Sequence, residues 1–91
     1  MRAPDLPSAP PRVLVPLADG VEEMEAVICI DLFRRAGWQV CAASLGADAV
    51  RASRGIRLLG DKRLEEVLGE DWNLICIPGG GPGVELSLIH I

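Results

Sequence analysis

The sequence predicts an α/β protein built on a doubly wound parallel sheet, cut off before that sheet is complete. Three observations predict it. Leu74–Gly83 (Leu-Ile-Cys-Ile-Pro-Gly-Gly-Gly-Pro-Gly) is a short apolar run that breaks into a loop of glycine and proline. A run of that length suits a strand buried on both faces. Val13–Leu17 and Gln39–Leu45 are further apolar runs, and the stretch between them has helical periodicity, the order of a βαβ unit. Small β elements, a short helix and the third apolar run then continue the alternation.

Each element follows from local chemistry. In Val13–Leu17, Pro16 lacks an N–H and belongs near the strand's end rather than its middle. Ala18-Asp19-Gly20 supplies a turn, and a helix is expected from Glu22 to Ala36. Val21, Met24, Ile28 and Leu32 form one apolar row, and Ala26, Cys29, Phe33 and Ala36 form a second beside it. Together they make a wider apolar face than one sheet surface requires. Glu22 and Glu23 at the start, and Arg34 and Arg35 at the end, complement the helix dipole, with Gly37 as the stop.

After Gln39–Leu45, the segments Val50–Ser53 and Ile56–Leu59 flank Arg54-Gly55 as a small hairpin or an irregular excursion. Asp61 is the expected N-cap of a short helix carrying Leu64, Val67 and Leu68 and ending at Gly69. Asp71-Trp72-Asn73 leads into the last strand.

With 91 residues and a formal charge of −4, the chain is at most one small domain. It has no basic run to suggest a nucleic-acid partner. Nor does any apolar stretch approach the ~20 residues that span a bilayer. Residues 1–11 are proline-rich, lack a signal-peptide core and are read as a disordered leader. Residues 12–85 are read as the folded part. Leu86–Ile91 matches the in-frame translation of a transposon-end sequencing adaptor (CTG-TCT-CTT-ATA-CAC-ATC) and is set aside with its histidine, His90. Cys29, Cys41 and Cys76 share no CxxC spacing and lie in apolar contexts. They read as small buried hydrophobes in a reducing, cytoplasmic setting, with no metal or cofactor implied.

Two features carry possible chemistry. Gly79-Gly80-Gly81-Pro82-Gly83 is neither a P-loop nor a dinucleotide fingerprint, but amides in such a bend can bind an anion or an oxyanion. A structural tight turn is the commoner use of such glycines. Glu25 sits beside Met24 at the border of the broad apolar face. Partial desolvation is expected there, the condition in which a carboxyl keeps its proton closer to neutrality.

The strand followed by Asp-Gly-Val-Glu-Glu-Met-Glu-Ala-Val (residues 19–27), Asp31–Gly37, Ala52-Ser53-Arg54-Gly55 and Ile77-Pro78-Gly79-Gly80 together resemble the ThiJ/PfpI superfamily, most closely its parkinsonism-associated deglycase branch. The resemblance runs from about Arg12 to Glu85. It implies a flavodoxin-like sandwich of the class I glutamine amidotransferase type, usually a homodimer, with a nucleophilic cysteine on a strained turn after a later strand.

Within that pattern, Glu25 corresponds to the glutamic acid that donates a hydrogen bond to the thiolate. Gly80 corresponds to the glycine whose N–H helps form the oxyanion hole, with Gly79 before it. Arg54 corresponds to an arginine near the pocket and the dimer contact, and Arg34 and Arg35 to a pair near the interface. The implied activity is cysteine-dependent deglycase or glyoxalase-type chemistry on glyoxal and methylglyoxal, or on glycated protein or nucleotide adducts, in protection against oxidative stress. The alternatives are a redox-responsive holdase chaperone and an amidase or peptidase of the same superfamily. None of Cys29, Cys41 and Cys76 stands at the nucleophile's place, so this chain by itself is expected to be inactive and marginally stable.

Overall fold

The computed structural model describes residues 9–46 and 49–84. Residues 1–8 of the expected leader lie outside the described residues, as does the whole of the expected adaptor translation, while at the leader's end the Pro11 carbonyl accepts the Gln39 N–H at 2.9 Å. Strand β1 (Arg12–Leu17), helix α1 (Glu23–Arg35) and strand β2 (Gln39–Ser44) form the βαβ unit. They are followed by β3 (Val50–Arg51), β4 (Arg57–Leu58), β5 (Lys62–Arg63), the single turn α2 (Leu64–Val67) and β6 (Leu74–Ile75).

Four strands make a parallel sheet in the order β5-β2-β1-β6. β3 and β4 form a separate antiparallel ribbon, so Arg54-Gly55 is the tip of a small hairpin. β1 pairs with β2 along its whole length but with β6 only at Val13 and Leu14. Pro16 therefore sits where the β6 ladder has already ended, and its missing N–H costs no bond on that side.

The sheet is apolar on both faces because β1 alternates its side chains between two clusters. Val13, Val15 and Leu17 pack with Val21, Ala26, Ala42, Val50 and Ala52 beneath α1 and the hairpin. Leu14 packs the other way with Ala43, Leu64 and Val67 against α2. The doubly wound reading holds, but two-sided burial is found for β1 and not for the run at Leu74. Leu74 and Ile75 are exposed because β6 lies at the edge of the sheet and pairs only with β1.

Helix α1 uses only part of its wide apolar surface. Ala26 is buried and Ile30 and Phe33 pack on the sheet, while Met24, Ile28 and Leu32 are 68%, 55% and 60% exposed. Glu22 is its N-cap and accepts the Glu25 N–H at 2.8 Å. Arg34 pairs with Asp61 and Arg35 with Asp31. Asp61 is not the N-cap of α2, which begins from Arg63. Instead, its Oδ2 accepts the Ala42 N–H at 2.9 Å, satisfying an edge amide of β2 while holding Arg34. Two residues of β5 then intervene before the helix begins.

The order β5-β2-β1-β6 also locates a crevice. From β1 the chain builds outward through β2 to β5, then returns to place β6 on the other side of β1. The switch lies between β1 and β6, and the segments leaving those two strands meet there.

Candidate functional site

The segment leaving β1 is the turn Ala18–Glu22, and the segment leaving β6 is the glycine loop. Gly20 takes φ +89°, and its N–H donates to the Arg51 carbonyl at 2.8 Å. The Ser53 N–H donates to the Val21 carbonyl at 2.8 Å, so the hairpin is tied to the same turn. Across the crevice the Glu22 N–H donates to the Gly79 carbonyl at 2.8 Å. The Gly79 N–H in turn donates to Glu25 Oε1 at 3.2 Å. The start of α1 and the loop thus hold each other by two opposed hydrogen bonds.

Glycine is required here by contact as well as by conformation. A Cβ at Gly79 would lie 2.6 Å from Glu25 Oε1, inside the space the carboxylate occupies. Gly80 takes φ +108°, and a Cβ there would meet the Gly20 carbonyl and come within 2.7 Å of the Glu22 nitrogen. Among the described residues, the Gly80 N–H takes part in no hydrogen bond, while its carbonyl accepts from Val84 at 2.8 Å in the turn of helix at 81–84. An unengaged amide beside a carboxyl is an arrangement that can stabilise a developing negative charge.

The structure thus brings Glu25, Gly79 and Gly80 together. Glu25 is exposed, however, and the expected partial desolvation is not found. The reason is its position at the rim: Met24 beside it faces solvent, and nothing described covers that end of the helix. Arg54 is placed at the hairpin tip, where its N–H donates to Glu23 Oε1 at 3.0 Å; no described hydrogen bond joins it to Gly79 or Gly80.

Glu23 is the residue that sequence reasoning underestimated. Beyond any dipole role, it is 6% exposed, and its carboxylate accepts the Ser53 hydroxyl at 2.8 Å as well as the Arg54 N–H. Two carboxyls precede Glu25 and one suffices for the cap, which is the only sign of a second task in the sequence. Burial pushes the Glu23 carboxyl up. Hydrogen bonds from its own amide, Ser53 and Arg54, together with the Arg54 charge, outweigh burial and hold it below its ordinary value.

A lowered folded value means that the stabilisation is complete above the unfolded value and is lost as pH falls through the folded one. Urea midpoints should therefore fall more steeply on acidification below the ordinary 4.5 in the native chain than in Glu23→Gln. Parallel pH profiles would show that the tether contributes nothing.

The profile of the DJ-1/PfpI family matches residues 11–88. The chain is 47% identical over 76 residues to protein DJ-1 homolog B of Arabidopsis thaliana, covering 82% of this chain and 17% of that protein. To the glutathione-independent glyoxalase DJR-1.2 of Caenorhabditis elegans it is 35% identical over 71 residues, 78% of this chain and 37% of that one. The crystal structure of Drosophila melanogaster DJ-1beta superposes with a TM-score of 0.81 at 40% identity, covering 85% of this chain and 42% of that one. This chain therefore spans less than half the length of each of these relatives. With its strand order, its glycine loop and a family match over most of its length, the chain belongs to the DJ-1/PfpI family and has that family's flavodoxin-like α/β fold.

Proposed function

We propose that this chain is the N-terminal part of a cysteine-dependent enzyme that acts on glyoxal, methylglyoxal or their adducts with proteins or nucleotides. The observation that carries the reading is the hydrogen bond from the Gly79 N–H to the Glu25 carboxylate. It joins the two pieces of sequence that resemble the family's site, and a glyoxalase stands among the relatives.

In this reading a thiolate from a later segment attacks the reactive carbonyl. Glu25 donates a hydrogen bond to the sulfur and holds it as thiolate, and the Gly80 N–H receives the oxyanion. The reading needs no metal or cofactor and belongs to a reducing cytoplasmic setting, which the three free thiols support. Protection against oxidative stress goes with it. Among the described residues, no helix is long and apolar enough to cross a membrane.

The exposed row of α1 supports a second copy of the protein as the partner. Met24, Val27 and Ile28 line a groove of about 410 Å³ with Ile56 and Leu58 of the hairpin, an apolar surface of the kind subunits cover.

The test is methylglyoxal turnover. In the longer protein, Glu25→Ala should lower kcat/KM by about a hundredfold or more, the range for a positioned proton donor. The 91-residue chain, whose cysteines all lie away from the nucleophile's place, should turn over no faster than its own Glu25→Ala variant. Turnover well above that control would overturn the division of labour between the two parts. An unaffected Glu25→Ala variant of the longer protein would overturn the role of Glu25.

A further inference from the structure

The hairpin has two faces of different character. Its strands read Val50-Arg51-Ala52 and Ile56-Arg57-Leu58, an arginine between apolar residues in each. Side chains alternate across a ribbon, so the apolar neighbours turn one way and both arginines the other. Val50 and Ala52 are buried in the core beneath α1, while Arg51 and Arg57 are exposed. The register sets the two arginines directly opposite each other. The Ala52 N–H donates to the Ile56 carbonyl at 2.8 Å, which makes Ala52 and Ile56 a hydrogen-bonded pair. Arg51 and Arg57, one step out, are then a non-hydrogen-bonded pair, the kind whose side chains stand closer.

Like charges so placed repel, and the hairpin has no carboxylate to relieve them. Residues 49–60 hold three arginines and no acidic residue, in a chain whose formal charge is −4. Arg12, Arg34, Arg35 and Arg63 each pair with a carboxylate, whereas among the described residues Arg51 and Arg57 pair with none. The two line a cavity of about 520 Å³ with Asp19 and Ala49. Asp19 Oδ1 accepts the Arg51 N–H at 2.9 Å and so ties the ribbon to the turn after β1. Its single charge leaves the lining net cationic.

We propose that Arg51 and Arg57 form a binding site for a diphosphate group, free or carried by a nucleoside diphosphate. A guanidinium presents paired N–H donors that match two oxygens of one phosphoryl group. Two guanidinium groups facing across a ribbon therefore suit two linked phosphoryl groups, and a polyanion between them replaces their repulsion with two attractions. Neither Glu25 nor Gly80 belongs to this site, so it goes beyond the carbonyl chemistry above and stands or fails separately from it.

Calorimetric titration of the 91-residue chain with pyrophosphate, alongside urea midpoints with and without the anion, tests this. Pyrophosphate should bind saturably and raise the midpoint as its concentration rises. Arg51→Gln and Arg57→Gln should each weaken binding by about tenfold or more, the loss of a charge-assisted contact. Without the anion, each variant should be at least as stable as the native chain, because the repulsion is relieved. Asp19→Asn keeps an acceptor for the Arg51 N–H, removes the opposing charge and should tighten binding. Lys62→Gln, an equal loss of charge on β5 outside the cavity, should leave binding unchanged. Adenosine diphosphate binding at least as tightly as pyrophosphate assigns the group to a nucleotide, and weaker binding assigns it to free diphosphate. Binding that does not saturate, survives both arginine substitutions or falls equally with Lys62→Gln would overturn the proposal. So would lost binding accompanied by a lower midpoint in the absence of the anion, the mark of a purely structural arginine.

Discussion

Replacing Gly80 with alanine should cost the fold about 3 kcal/mol, read as a fall in the urea midpoint at unchanged slope. Two terms contribute. An L-residue at φ +108° is strained, and its Cβ would press on the Gly20 carbonyl and the Glu22 nitrogen. Neither contact is the far end of a flexible side chain. Both belong to the turn that begins α1, so relief requires moving the turn, and the Glu22 N–H to Gly79 carbonyl bond goes with it. Gly81 is the internal control, because a Cβ there meets nothing within 4 Å. Gly81→Ala should stay within about 0.5 kcal/mol of the native chain. Equal midpoints for the two variants would show that the loop is not held against the turn.

The second large effect is expected on association. Ile28→Glu places a carboxylate in the middle of the exposed row of α1, beside the groove shared with the hairpin. If a second copy covers that groove, burying an unpaired carboxylate costs several kcal/mol. Self-association of the longer protein should weaken by about a hundredfold or more, measured by sedimentation across a concentration series. The fold itself should be nearly untouched, because Ile28 makes little use of its apolar surface within one chain. Undiminished association would place the subunit contact elsewhere and leave this face unexplained.

These two variants probe opposite kinds of sequence signal. The apolar rows of α1 were readable from spacing, including their excess over what one sheet needs. Ala26 and Phe33 on the sheet and Met24, Ile28 and Leu32 facing out divide that excess as helix geometry requires, while Ile30, which stood in neither row, packs on the sheet as well. The position of Pro16 was readable for a similarly local reason. Asp61 was misread because a carboxylate just before a helical pattern looks like a cap. Its actual partners, Ala42 and Arg34, come from a strand and a helix far away in the chain. Gly60 carried a comparable hidden requirement: a Cβ there would lie 2.6 Å from the Ala42 carbonyl, a contact that exists only once the chain has returned alongside β2.

The order of strands and helices, the two-sided burial of β1 and the likeness of residues 12–85 to a known family were written in local periodicity and motif, which depend on neighbours a few positions away. Tertiary structure alone decided that Gly79 touches Glu25, that Glu23 holds the hairpin and that Glu25 stays open to solvent. Each of these depends on how α1 lies across the sheet at the β1–β6 crevice. That placement is a sum over many weak apolar contacts, and no short stretch of sequence encodes it.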